Sequence, residues 1–150
     1  MGAAQQALYT CNADDLSAQA FLDAVCASGS VGFARNVTIS REPDSGRISK
    51  VAAMPLALIV NELLTNAAKY GANDRGRVTI NVGLNVYSGL HELYVQDDGS
   101  GFDFEEVQER SSGLGLVSAL VRRLNGTFVV ERKLGTRCTV RFSHRSEAPQ

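Results

Sequence analysis

The segment from Met54 to Tyr70 constrains the fold more than any other, because its apolar residues return every three or four positions. At about 100° per residue, Leu56, Ile59, Val60, Leu63, Leu64 and Ala67 gather on one side of a helix. Such a face must lie against another layer. Burying the five large members contributes roughly 7–15 kcal/mol gross, before conformational entropy is subtracted. Pro55 suits the first helical turn, where its missing N–H costs nothing.

The rest of the chain supplies that other layer. A helix capped by Asp14 or Asp15 is expected to run to about Ser28, with Leu16, Ala20, Phe21 and Ala24 on one stripe. Val31 to Ser40 reads as a strand, with Phe33, Val37 and Ile39 on one parity, and Glu42 to Gly46 as a turn. Arg77 to Val86 and Leu93 to Val95 alternate like strands around Ser88-Gly89. A short helix from Leu116 to Leu124 is expected to stop at Asn125-Gly126. Thr127 to Lys133 and Thr136 to Phe142 form the last strand pair. Mostly antiparallel strands with helices inserted between them predict a two-layer α/β sandwich with its helices on one face.

A chain of 150 residues is one ordinary domain, with a core expected over about 8–143 and a frayed tail from His144 to Gln150. Fifteen Lys and Arg against sixteen Asp and Glu leave a net charge of −1, which gives no global electrostatic reason for a nucleic-acid partner. Cys11, Cys26 and Cys138 form no C-x-x-C pair, so a reducing cytoplasm is the simpler setting. The longest apolar run, Val51 to Val60, is too short to cross a bilayer, and Met1 to Gln6 lacks a secretory pattern. A soluble cytoplasmic protein without direct membrane contact is expected.

Three segments hold residues that a simple sandwich does not need. Opposite its apolar stripe, the Met54–Tyr70 helix carries Glu62, Thr65, Asn66 and Lys69. A solvated face would look the same, yet an amide oxygen suits Mg²⁺ and an ammonium balances phosphate. In Leu93-Tyr94-Val95-Gln96-Asp97, strand parity sends Asp97 to the core side after two apolar residues. A lone carboxylate there is costly unless bonded, and an adenine amino group is a suitable donor. Gly99 and Gly101 just beyond permit close backbone approach to a ligand, although ordinary turns share the string. Ser111-Ser112-Gly113-Leu114-Gly115-Leu116 opens a helix with Leu116, Val117, Leu120, Val121 and Leu124 on its inner face. Backbone N–H groups at such a start favour phosphate, and a plain serine-capped loop is the bland alternative.

The order of these strings resembles the Bergerat-fold ATPases, the superfamily of gyrase, Hsp90, MutL and the histidine kinases. Asn61 to Tyr70 is similar to the N box, Asp97 to Gly101 to the G1 box, and Gly113 to Leu116 to the G2 box. The Lys69-Tyr70 ending resembles sensor histidine kinases, especially the HWE-like bacterial subclass with a short nucleotide lid. The likeness runs from about Leu8 to Phe142.

The resemblance implies that Asn66 holds Mg²⁺, that Asp97 reads the adenine amino group, and that Lys69 and Tyr70 line ATP. It further implies that Gly99, Gly101, Gly113, Leu114, Gly115 and Leu116 shape the floor and lid, with Thr136 of Gly135-Thr136 near the site. Glu62 stands where ATP-hydrolysing relatives activate water, so it is either a base or a partner of the metal site. Only eleven residues, Phe102 to Ser112, separate the G1 and G2 glycines, and Phe104 matches an F box poorly.

The expected activity is transfer of the ATP γ-phosphoryl group to a histidine on a separate dimerisation and phosphoacceptor domain, ahead of a response regulator. The chain itself offers no convincing acceptor. His91-Glu92-Leu93 reads as a solvated turn histidine opening a strand, and His144 lies in the tail. Two other readings compete: an anti-sigma-factor serine kinase on the same fold, and a non-catalytic phosphotransfer or docking module.

Overall fold

The computed structural model describes residues 15–30, 37–43, 46–70, 77–87, 89–99, 112–132 and 135–143. In chain order the elements are β1 (Asp15–Ser17), α1 (Ala18–Ser30), β2 (Val37–Pro43), β3 (Arg47–Ser49), α2 (Lys50–Tyr70), β4 (Val78–Tyr87), β5 (Leu90–Asp97), α3 (Ser112–Arg123), β6 (Thr127–Arg132) and β7 (Thr136–Ser143). Five strands form one sheet in the order β2-β4-β5-β7-β6, parallel between β2 and β4 and antiparallel elsewhere. β1 and β3 pair in a separate small antiparallel ribbon. The fold is the expected two-layer sandwich, with α1, α2 and α3 on one face of the sheet.

Strand alternation builds the core. Ile80, Val82 and Leu84 of β4, Leu93 and Val95 of β5, and Cys138, Val140 and Phe142 of β7 are all buried. Against them lie Leu56, Ile59, Val60, Leu63, Leu64 and Ala67, the whole predicted stripe of α2. α2 begins four residues earlier than predicted. Ser49 caps it, its Oγ accepting from Ala52 N at 3.3 Å, so Pro55 sits in the second turn. This longer helix is long and apolar enough to span a membrane by length and composition, unlike the 51–60 run considered alone. Half of that stretch is buried, and α2 serves as the central core helix.

α1 also differs in detail. Its cap is Ser17, whose Oγ accepts from Ala20 N at 3.0 Å, and Asp15 belongs to β1. The buried stripe is Ala18, Phe21, Leu22, Val25 and Cys26, while Ala20 is exposed. The expected strand over 31–40 is seen as β2, which takes in Glu42 and Pro43 from the predicted turn. Residues 31–36, 44–45, the 100–111 segment, Cys11, Asp14 and the 144–150 tail, with their expected structures, lie outside the described residues.

α3 starts at Ser112, four residues before the expected position, and ends where expected. Gly126 N donates to Val121 O and Asn125 N to Arg122 O, both at 3.0 Å, while Asn125 takes the left-handed conformation at φ 56°. That pair of bonds satisfies carbonyls the helix end would otherwise leave open.

His91 corrects the sequence reading. It is fully buried on the core face of β5, stacked on Phe142 with ring centroids 4.8 Å apart. Its Nε2 donates to the Arg47 carbonyl at 2.8 Å, which ties the small ribbon to the sheet. The strand begins at Leu90, so His91 falls on the inward parity of Leu93 and Val95 rather than in the turn.

Candidate functional site

A site forms where α2, α3 and the ends of β5 and β7 converge. Leu63, Asn66 and Ala67 come from α2, Val95 and Asp97 from β5, Leu114 from α3, and Thr136 and Cys138 from β7. The free space among these side chains is only about 10 Å³, roughly one water's worth. Leu114, fully buried, forms the α3 wall of this space.

Asp97 is 2% exposed. Its Oδ1 accepts from Gly99 N at 3.0 Å and Thr136 N at 3.3 Å. Among the described residues no donor reaches Oδ2. Burial pushes the Asp97 carboxyl above its ordinary range, the two backbone donors pull it back, and neighbouring Asp98 adds to the rise. Asp98 itself belongs to the sheet: its Oδ1 accepts from Thr79 N at 2.8 Å, and it is exposed. The parity argument thus separates the two aspartates.

Gly135 permits the close crossing beneath Asp97. Its φ is +113°, and a Cβ there would stand 2.1 Å from the Asp97 carbonyl oxygen. A side chain is excluded by both conformation and space. Cys138 is buried one strand over, opposite Val95. Burial and then the Asp97 charge push its thiol up to about 12, so it stays protonated at neutral pH.

Asn66 is 4% exposed, and its Nδ2 has no hydrogen-bond partner. A buried amide left so is costly without a ligand. Its carbonyl end is a hard oxygen donor that fits Mg²⁺. Among the described residues there is no cluster of three His, Cys, Asp or Glu side chains able to hold a metal by itself. Such a donor set fits an ion completed by a ligand's own oxygens.

The histidine kinase-, DNA gyrase B- and HSP90-like ATPase profile matches residues 52–146, which span α2 to the end of β7. The chain belongs to this ATPase family. A histidine kinase domain from the Erythrobacter litoralis EL346 blue-light activated histidine kinase superposes with a TM-score of 0.79 at 23% identity, over 96% of this chain and 73% of that one. The ATP binding domain of PrrB from Mycobacterium tuberculosis gives 0.69 at 23% identity, over 87% and 96%. Serine-protein kinase RsbW of Bacillus velezensis is 33% identical over 54 residues, 36% of this chain and 34% of RsbW. The chain thus matches about a third of that relative's length.

Within this ATPase domain the predicted residues divide. Asn66, Asp97, Leu114 and Thr136 converge on one site, with Gly99 bonded to Asp97. Glu62 is half-buried one turn before Asn66, and Lys69 is exposed in the last turn of α2. Tyr70 ends α2, with its side chain outside the described residues, and Gly101 is outside them altogether. Gly113, Leu114, Gly115 and Leu116 lie in the opening turns of α3. Leu116 is 42% exposed and does not join the inner face assigned to it, because the earlier helix start turns Leu114 inward instead. Space around Gly115 is open: an added Cβ meets nothing within 4 Å. Sequence reasoning missed the apolar lining. Leu63, Ala67 and Val95 looked like ordinary core, and Cys138 stood out only as a cysteine without a C-x-x-C partner.

Proposed function

We propose that this ATPase-family domain binds Mg²⁺·ATP and passes the γ-phosphoryl group to a histidine on a separate helical dimerisation and phosphoacceptor domain. A response regulator would be the next acceptor, in cytoplasmic two-component signalling. The observation carrying the reading is the Asp97 cradle, in which Gly99 and Thr136 donate to Oδ1, no described donor takes Oδ2, and the residue lines an apolar slot. A carboxylate oxygen held this way accepts from the adenine amino group, while Leu63, Ala67, Val95 and Cys138 contact the flat base. Entry of the base displaces Leu114, carried by the first turn of α3.

Asn66 would hold Mg²⁺ through its amide oxygen, and the ion would neutralise charge on the transferring phosphoryl group. Lys69 and Tyr70 line the nucleotide, and the N–H groups of Gly113 to Leu116 face its phosphates. The family resemblance assigns Gly101 to the nucleotide as well. Glu62, half-buried one turn before Asn66, would act either as a base or as a partner of the metal site. In the transfer a P–N bond forms to the acceptor imidazole, the bond to the β-phosphate oxygen breaks, and ADP leaves. The acceptor nitrogen must come within about 3–3.5 Å of phosphorus. His91 is sealed between the sheet and the Arg47 carbonyl, which removes it as an acceptor and supports one on another domain.

The likeness to RsbW favours a second reading, a kinase for a protein serine. Incubation with γ-labelled ATP and either a histidine-bearing helical domain or a serine-bearing partner distinguishes them. Acid-labile, base-stable label on the helical domain is expected. Acid-stable label on the serine partner alone gives the site to the second reading.

A further inference from the structure

A second concavity lies away from the Asp97 site, between the first half of α2 and the last turns of α3. Val51, Met54, Pro55 and Leu58 form one wall, and Leu120, Arg123 and Leu124 form the other, around about 400 Å³. Val51 is 65% exposed and Leu58 44%. Their positions, with Met54 and Pro55 between them, follow the i, i+3, i+4, i+7 pattern that a helix offers to another helix.

Among the described residues the charges carried by these two helix segments have one sign, and Arg123 lines the groove itself. Lys50 is the only charged residue of α2 before Glu62, and Arg122 and Arg123 are the only charged residues of α3. All three are exposed, within a chain whose net charge is −1. Arginines in a last helical turn do complement the helix dipole, but that leaves the exposed Val51 and Leu58 without a purpose. Pro55 also has no N–H to give the Val51 carbonyl its usual i+4 bond.

We propose that this groove docks an amphipathic helix of a partner protein, one whose apolar stripe is flanked by Asp or Glu. Two helical ridges with a hollow between them accept the ridge of a third helix, and Lys50, Arg122 and Arg123 select its charge. A lipid surface would meet a convex apolar edge rather than a hollow. The proposal is independent of the phosphoryl acceptor, because it rests on no residue of the nucleotide site.

The test uses two labelled synthetic peptides with Leu at i, i+3, i+4 and i+7, one flanked by Glu and its twin by Lys. Each is titrated with the whole chain at low salt and followed by fluorescence anisotropy. The Glu peptide should bind about tenfold or more tighter than the Lys twin. Leu58→Asp should weaken it by at least about tenfold, and Arg122→Glu with Arg123→Glu should reverse the preference. Thermal melts and ATP titration of each variant report an intact fold, and Val51→Ser provides a milder substitution in the same wall. Equal binding of the two peptides, or binding unaffected by both Leu58→Asp and Val51→Ser, overturns the proposal. So does self-association removed by Leu58→Asp, which gives the groove to a second copy. Leu58-dependent binding to phosphatidylserine vesicles without peptide selectivity overturns it in favour of a membrane.

Discussion

Replacing Asp97 by Asn tests the base assignment and also shows what the site costs the fold. Asn keeps an oxygen for Gly99 N and Thr136 N, the two donors now at 3.0 and 3.3 Å. Its Nδ2 then stands where Oδ2 stood and turns a donor toward the adenine amino group. Losing a charge-assisted bond costs about 1.5–3 kcal/mol, roughly a ten- to hundredfold loss of ATP affinity. Stability should move the other way. Burial raises the Asp97 pKa in the folded state, so the folded chain holds that proton more tightly than the unfolded one. The corresponding stability is present below the ordinary carboxylate range and is lost as pH rises through the folded value. At neutral pH wild type has lost it, whereas Asp97→Asn never titrates. Without nucleotide the variant should therefore melt at or above the wild-type temperature at neutral pH, and the gap should close on acidification. Calorimetric titration with Mg²⁺·ATP and thermal melts over a pH series read both effects. Unchanged ATP affinity in a folded variant refutes the base assignment, and a clear drop in melting temperature refutes the account of burial.

Asn66→Ala should weaken Mg²⁺·ATP far more than metal-free ADP in parallel titrations, because the lost oxygen acts through the ion; equal losses would make Asn66 a packing residue. Gly115→Ala meets open space and favours helix over Gly by about 0.5–1 kcal/mol. The melting temperature should rise while ATP affinity falls, as α3 holds Leu114 in the site more firmly. Tyr94 donates to Glu42 under the Arg137 guanidinium, and burial followed by that bond pushes its phenol up to about 12. The stability it contributes is present below about pH 10 and lost as pH rises through the folded value, so Tyr94→Phe should remove that alkaline slope from a urea-midpoint series and delete one late-appearing phenolate from the absorbance titration.

Much of the site was legible because its residues break local rules. Asp97 on a core parity, Asn66 within a helix, and glycines in the opening turns of α3 each contradict their surroundings, and Asn66, Asp97, Leu114 and Thr136 line one slot together with apolar residues. Element boundaries were less legible. α2 starts at Lys50 because Ser49 caps it, and a serine cap is weaker in sequence than a proline at the first turn. The same kind of shift turned Leu116 outward and Leu114 inward. His91 was misread since its polarity suggested solvent, whereas its register against Phe142 and the Arg47 carbonyl depends on tertiary contacts that local pattern does not contain.

The costs borne by this fold are concentrated in one place. Ordinary stability favours no buried carboxylate, no unpartnered amide and no left-handed strand end. Yet Asp97, the Nδ2 of Asn66 and Gly135 all lie within the same cradle. Outside it, polar groups of the sheet are matched: Tyr94 with Glu42, Arg137 with Gln96, and Arg141 with Glu92. Strain spread evenly would point to poor packing; an unbonded amide, a buried carboxylate and a left-handed glycine gathered around one slot point to a site adapted to a ligand. That ligand must bring a donor for Asp97 Oδ2, a flat apolar body for Leu63, Ala67 and Val95, and a group that draws on the Asn66 amide. Adenine with its metal-bound phosphates meets all three demands at once, whereas a simple anion at the α3 start meets none of them.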